Sequence, residues 1–338
     1  MHGIAVSEKR RIGTINRWFV LIAKISVAIL ILWILFRSMN MSEIAEAISQ
    51  ASPTYLAIAI LCSTAGVLLG AYRWRMALTT QNIWVPFKMV LSLTLVSSFL
   101  GFVIPSSFGA DSIKGYDMFR YSRQGIPVVA SIFFERICGL SSLIIVGSIA
   151  ILMAFDYMRN EPVLWSIAVI YTTIVLLMIS CFSTVLARKI TYIVSKVPKF
   201  GFLSEKIASL FTAIRLYKTH TKTWLAVLGI SILFQFIGIL YYYIISLSLT
   251  MTVPFKIFLL VIPIITLFTL VPISPGGIGV KEGMFVILFT QFGVSPAVAL
   301  MMSLIGTALY TIFVLLGGVI YIVRGKRATN TYQKFENR

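Results

Sequence analysis

The sequence predicts an all-α, polytopic membrane protein of about six full spans plus two opposed re-entrant broken-helix hairpins, arranged as an inverted repeat. Three observations carry that expectation. Hydrophobic residues make up 59% of the 338 and charged ones only 12%, and several apolar runs exceed the ~20 residues that a bilayer crossing needs. Two Pro/Gly-rich stretches interrupt this apolar background and align with one another without a gap. The net charge of +18 sits in the segments between apolar runs, where its uneven distribution orients the chain.

Taken in order, residues 1–54 hold a basic N-terminus, a first span over Trp18–Phe36 broken only by Lys24, and a short interfacial helix stopped by Pro53. The first span is too long, and its flanks wrong, for a cleaved signal peptide. Residues 55–187 form a first transmembrane repeat, with spans at 55–72 and 126–155, a hairpin near 86–123 and an added span at 163–187. Arg73-Trp74-Arg75 closes the 55–72 span in the manner of an interfacial anchor. Residues 188–222 form a basic connection, with eight basic residues against one acidic. Within it Leu203, Ile207, Leu210, Phe211, Ile214 and Tyr217 recur at helical spacing, which suits either an amphipathic helix on an anionic membrane surface or a packed elbow between halves. Residues 223–323 form the second repeat, with spans at 224–249 and 296–323 and a hairpin near 255–291. A basic tail, 324–338, follows.

The two interruptions organise the whole. Pro105-Ser-Ser-Phe-Gly-Ala-Asp-Ser-Ile-Lys114 aligns onto Pro272-Ile-Ser-Pro-Gly-Gly-Ile-Gly-Val-Lys281, with Pro105/Pro272, Ser107/Ser274, Gly109/Gly276 and Lys114/Lys281 identical. Ala110 matches Gly277 in kind, and Gly279 adds a third glycine to the second copy. Proline removes a backbone donor and glycine favours turns, so a membrane helix breaks at each place. Interrupted backbone at membrane depth is tolerated only where protein or a water-filled cavity receives its polar groups. Interrupted segments at corresponding positions of two halves point to a transporter's binding site.

Charge bias agrees with this duplication. If 86–123 dips in and returns to its own side, every basic loop falls on the cytoplasmic face, both termini included. The hairpin at 255–291 then enters from outside, and the two point at each other from opposite faces.

Ionisable groups at membrane depth cost roughly 2.5–3.5 kcal/mol each on insertion scales, so they face partners or a cavity. Here they are Lys24, Asp111, Lys114, Glu135, Arg136, Lys281 and Glu282. Each break presents a half-helix with unpaired N-terminal amides and a positive end. With Lys114, Lys281 and the fork of Arg136, these suit a phosphate. Asp111, Glu135 and Glu282 balance the cations when the site is empty or couple to protons. A purely structural pairing, for instance Lys281 with Asp111, is the competing expectation. Ser107 and Ser274 complete the candidate substrate-binding set, and Pro105, Gly109, Pro272, Gly276, Gly277 and Gly279 form the breaks.

Other chemistries are poorly supplied. The three cysteines lie inside apolar runs, and the two histidines, His2 and His220, sit in basic polar surroundings. No metal site, cofactor or nucleic-acid partner is expected.

The elements Pro-x-Ser-x-Gly-Ala-Asp-x-x-Lys (105–114), Phe-Glu-Arg-Ile-x-Gly-Leu (134–140) and Pro-x-Ser-x-Gly-Gly-x-Gly-Val-Lys-Glu-Gly (272–283) resemble the lysylphosphatidylglycerol synthase transmembrane family. Members of that family resemble the flippase domain of the multiple peptide resistance factor. Where they usually show Gly-Gly-Asp, this chain has Gly109-Ala110-Asp111. The chain stops about fifteen residues after its last span, so the soluble aminoacyl-transferase domain of full synthases is not expected. The resemblance therefore implies a stand-alone, flippase-like protein of the cell membrane and no enzyme.

The leading expectation is translocation between leaflets of a lipid with an anionic or phosphate-linked headgroup, either a phospholipid or a polyprenyl-phosphate-linked glycan. The alternatives are an intramembrane lipid or glycosyl transferase using Asp111 or Glu135 as base, and a scaffold for a cytosolic glycosyltransferase. A glycosyltransferase or lipid-synthase partner would fit either.

Overall fold

A computed structural model describes residues 51–103, 109–153, 220–270, 274 and 277–336, with isolated positions elsewhere in the chain. Eight helices occur among the described residues: α1 (Pro53–Thr80), α2 (Phe87–Val103), α3 (Gly109–Ser122), α4 (Gly125–Met153), α5 (Thr221–Ser248), α6 (Phe255–Thr269), α7 (Val280–Thr290) and α8 (Pro296–Glu336). Prolines punctuate them as helix-start chemistry requires. Pro53, Pro127 and Pro296 lie in first turns, and Pro86 and Pro254 immediately precede α2 and α6.

Four helices are long and apolar enough to cross a membrane: α1, α4, α5 and the Pro296–Val323 part of α8. They coincide with the expected spans at 55–72, 126–155, 224–249 and 296–323. The expected spans at 18–36 and 163–187 lie outside the described residues. The protein is an all-α polytopic membrane protein.

Between these spans lie two pairs of shorter helices, α2–α3 and α6–α7, each packed on itself. Exchanging the halves (α1 for α5, α2 for α6, α3 for α7, α4 for α8) maps the principal helix pairings onto one another. α2 packs on α8 as α6 packs on α4, and α4 on α5 as α8 on α1; α1 packs on its own equivalent, α5. These two run in opposite directions. The Ser52 N–H at the start of α1 donates to the Ser248 carbonyl at the end of α5, 3.0 Å away. The other end of α1 meets the approach to α5, where the Tyr217 hydroxyl donates to the Ala77 carbonyl at 2.8 Å. Equivalent helices packed antiparallel make the repeat inverted.

The apolar core divides accordingly. One cluster joins the end of α1 (Trp74, Leu78), the start of α2 (Val90), the end of α3 (Met118) and the start of α4 (Val128, Phe134). These ends can meet only if the first hairpin returns to the side it left. The second cluster joins the end of α5 (Ile245), α6 (Phe258), the end of α7 (Phe289) and the start of α8 (Met302) at the opposite end of the bundle.

One expectation changes, and the open alternative for the basic connection is decided at that segment's C-terminal end. Trp74 is wholly buried and its indole N–H donates to Ser131 Oγ at 3.2 Å, so it belongs to the core and is not an interfacial anchor. Arg75 donates to the Val85 carbonyl, while Arg73 turns inward, two residues away and therefore on a different face of the helix. In the basic connection, the C-terminal end is a packed elbow: Tyr217 is buried and its ring stacks on Phe134 with centroids 3.7 Å apart. Residues 188–212 lie outside the described residues.

Helix α8 meets α2 closely enough that a Cβ at Gly317 would collide with the Leu95 carbonyl, and one at Gly318 would lie 2.9 Å from the Phe99 ring. Small residues let membrane helices approach in this way. Gly229 on α5 faces open space. Gly317→Ala is expected to lower stability by about 1–3 kcal/mol through overpacking against backbone that cannot yield. Gly229→Ala is expected to be neutral or slightly stabilising, because alanine is the better helix former by about 1 kcal/mol. Thermal unfolding of the two purified variants beside the parent checks the contrast.

Candidate functional site

The two interruptions have the same origin in sequence but different backbones. In the first, α3 resumes at Gly109, so Ala110, Asp111 and Ser112 are already helical. In the second, helix resumes only at Val280, because Gly277 (φ +74°) and Gly279 (φ +85°) occupy left-handed backbone. These stand where the first copy has Ala110 and Ser112. A Cβ on Gly277 would also press Thr269 at 3.3 Å, so glycine is required there. The first copy thus gains a helical turn, and that turn carries Asp111. Pro105, Ser107, Pro272 and Gly276 lie outside the described residues.

Both hairpins open onto one cavity of about 690 Å³, also walled by α1, α4, α5 and α8. Its lining holds four cationic side chains (Arg73, Lys114, Arg136 and Lys281) against two carboxylates, Asp111 and Glu135. Sequence reasoning gathered five of these six and missed Arg73. The available signal was its helical register with Gly66 and Gly70, which line the same wall; its neighbours Trp74 and Arg75 gave the contrary impression.

The charges divide into an inner and an outer group. Inside, Glu135 is shared: Lys114 Nζ donates to Oε2 at 2.7 Å and Arg73 Nη2 to Oε1 at 2.9 Å. All three are nearly buried, with 7%, 13% and 12% side-chain exposure for Lys114, Arg73 and Glu135. Lys114 also lies 4.0 Å from the Trp74 ring centroid and Arg73 5.1 Å from that of Phe234, favourable cation–π placements. Arg73 Nη1 donates to Ser231 Oγ at 3.4 Å, and its Nε is buried without a partner among the described residues. Outside, Arg136 Nε and Nη2 both reach Asp111 Oδ2, at 2.8 and 2.6 Å. Arg136 is 49% exposed, so this pair is open to exchange with an arriving anion.

The second hairpin is arranged differently. Lys281 Nζ donates to Thr307 Oγ1 and stands 3.6 Å from Glu282 Oε1. Each aligned lysine therefore reaches the last span of its own half, Lys114 to Glu135 on α4 and Lys281 to Thr307 on α8. Glu282 is buried and does not line the cavity. Its Oε2 accepts the Gly279 N–H at 2.6 Å and its Oε1 accepts from Ser303 Oγ at 3.3 Å. The carboxylate thus caps the positive end of α7 itself, satisfying a backbone donor that the break exposes. Ser274 is buried, does not line the cavity, and its hydroxyl has no partner among the described residues. The Lys281–Asp111 pair does not form; Asp111 and Glu135 find cations from other helices, and Glu282 caps its own.

A polytopic bundle of two inverted halves around a charged internal cavity defines the class as an integral membrane protein with an intramembrane polar site. Residues 21–318 match the family described as the lysylphosphatidylglycerol synthase TM region, and the chain belongs to it. Its relatives include the UPF0104 membrane protein PH1989 of Pyrococcus horikoshii, 26% identical over 337 residues, covering 92% of this chain and 98% of the relative. A UPF0104 membrane protein of Methanothermobacter thermautotrophicus is 22% identical over 281 residues, covering 76% of this chain and 81% of the relative.

The shared carboxylate makes an unequal prediction for its partners. Lys114→Met leaves Glu135 still paired with Arg73, whereas Glu135→Gln leaves two buried cations facing each other. Breaking a buried pair in the second way costs roughly 3–5 kcal/mol. Thermal unfolding in detergent should therefore show Glu135→Gln the more destabilised by a clear margin.

Proposed function

We propose that the protein moves a lipid with an anionic, phosphate-bearing headgroup between membrane leaflets. The observation that supports this most is a cavity onto which both hairpins open, with four cations against two carboxylates in its lining. A phosphate brings the negative charge that such a lining lacks. Arg136 offers it a planar fork once Asp111 is displaced, and Lys281 a point charge from the opposite hairpin. Arg73 and Lys114 form a more buried cationic floor, kept in balance by Glu135. The headgroup crosses in the cavity while its acyl or polyprenyl tails remain in the bilayer. The hairpins from the two faces act as the barriers on either side of the headgroup, the arrangement by which inverted-repeat transporters alternate access.

Arg136→Lys keeps the charge and loses the fork, and Lys281→Met loses the charge while keeping much of the length. Charge-assisted hydrogen bonds contribute about 1.5–3 kcal/mol, so each variant is expected to slow leaflet exchange of an anionic phospholipid in proteoliposomes by about tenfold or more. Their thermal stability, measured on the same preparations, should stay near the parent's. Exchange at the parental rate in both folded variants would contradict the proposal.

A further inference from the structure

The two hairpins end differently at the membrane surface. Helix α3 has two faces. Asp111 and Lys114 point into the cavity and Met118 into the core. Tyr116, Phe119, Arg120 and Arg123 fall on the other face at helical spacing and are exposed. Arg120 lies 6.0 Å from the Tyr116 ring centroid, and none of the four lines the cavity. Trp84 and Lys88, both exposed, join them at the same end of the bundle, because Ile83 and Val85 on either side of Trp84 are buried in the cluster that holds Met118. Residues 82–134 carry two carboxylates, Asp111 in the cavity and the half-buried Asp117. The exposed surface is therefore aromatic and cationic. At the outer end of the second hairpin, residues 250–257 and 290–297 expose one cation, Lys256, and no aromatic side chain.

The turn after each short helix sharpens the contrast. Both are closed by a residue in left-handed backbone, Gly293 (φ +79°) after α7 and Arg123 (φ +59°) after α3. The Arg123 N–H donates to the Phe119 carbonyl at 2.8 Å, and the Val294 N–H to that of Phe289 at 3.3 Å. Glycine takes this backbone without steric cost, and an L side chain does not. Closing the helix asks for glycine, which the second copy has; the first places an arginine there at a cost in stability. Orienting the chain in the membrane needs only charge, which a neighbour in ordinary backbone would supply equally well.

Depth gives that arginine a partner. The nine steps from Lys114 to Arg123 rise roughly 14 Å along a helix, about half of the ~30 Å hydrocarbon thickness. With Lys114 in the cavity at membrane depth, Arg123 stands at headgroup level. Tryptophan and tyrosine concentrate there, and basic side chains are drawn to anionic lipid.

We infer that the outer end of α3 is a docking surface for the anionic phospholipid headgroups of the leaflet it faces. Arg120 and Arg123 contact the phosphates, and Trp84, Tyr116 and Phe119 sit among the headgroups. The occupant is the lipid surface and not a molecule in the cavity, so the inference does not depend on what the cavity takes. Because α3 carries Asp111 and Lys114 at its other end, the charge of that leaflet holds the first hairpin in place. The second hairpin, which has no such surface, is indifferent to it.

Hydrogen exchange of the full-length protein in nanodiscs tests this. The discs hold phosphatidylcholine alone, or phosphatidylcholine mixed with phosphatidylglycerol or with phosphatidylserine. One basic residue close to an anionic surface strengthens attraction about fivefold. Either anionic lipid is therefore expected to slow amide exchange over residues 116–123 by about fivefold or more, and high salt to reverse the slowing. Residues 287–294 should exchange at one rate in all three discs. Arg120→Gln combined with Arg123→Gly is expected to abolish the slowing. Its thermal stability in phosphatidylcholine should equal or exceed the parent's, since glycine relieves the left-handed turn. Slowing of both hairpins together, or slowing that survives in the double variant, would assign the effect to lipid in the cavity and overturn the inference. Absence of slowing, or a response to one anionic lipid and not the other, would overturn it too. So would a double variant less stable than the parent in phosphatidylcholine, which would make the arginines supports of α3 itself.

Discussion

Glu135 carries the constraint on which the first half of the molecule depends. A carboxylate and two cations taken into a membrane interior are each unfavourable alone, and removing the carboxylate leaves both cations uncompensated. By sharing its two oxygens between Arg73 and Lys114, Glu135 on α4 ties α1 and α3 to itself in a fixed geometry. The core cluster around Trp74 packs beneath the same three helices. Hairpin position, cavity shape and charge balance thus follow from one side chain. The second half meets the equivalent requirement with Glu282, which satisfies backbone exposed by its own break instead of neighbouring side chains.

That divergence gives two related halves different tasks. The first break recovers helix early, and the added turn brings Asp111 to Arg136. The second is drawn out by Gly277 and Gly279 and sealed by a buried carboxylate. The result is a cavity whose exchangeable ion pair belongs to one hairpin and whose single lysine–hydroxyl contact belongs to the other. Between them α1 and α5, the pair of helices equivalent to each other, complete the wall, with Arg73 of α1 turned into it.

Much of this architecture was legible in the chain. Spans declare themselves through length and apolarity, and the breaks through proline and glycine, because bilayer physics permits few alternatives. Charged residues in apolar surroundings had to gather somewhere, so Asp111, Lys114, Glu135, Arg136 and Lys281 were identifiable as cavity groups. Their pairings were not. Which carboxylate meets which cation depends on helix rotation and on the added turn at Gly109, neither of which has a local sequence signal. Arg73 was hidden by its neighbours, since an Arg-Trp-Arg run at a span's end reads as an interfacial anchor when the fold instead buries the tryptophan. Gln235 and Tyr242 lie in an apolar span, and only the placement of α5 shows that they line the cavity. Glu282 looked like a site residue because it follows Lys281, but one step along a helix turns a side chain by about 100°, here away from the cavity.

The central claim is that two hairpins enter the membrane from opposite faces and share one cavity between them. Single cysteines at Trp84, Gln124, Thr252 and Val294, in a background lacking the native cysteines, mark the outer ends of α2, α3, α6 and α7. Labelling in sealed oriented vesicles with a membrane-impermeant reagent reads their sidedness. The account predicts that positions 84 and 124 react from one face and positions 252 and 294 from the other. Either pair divided between faces, or all four reacting from the same face, would contradict it.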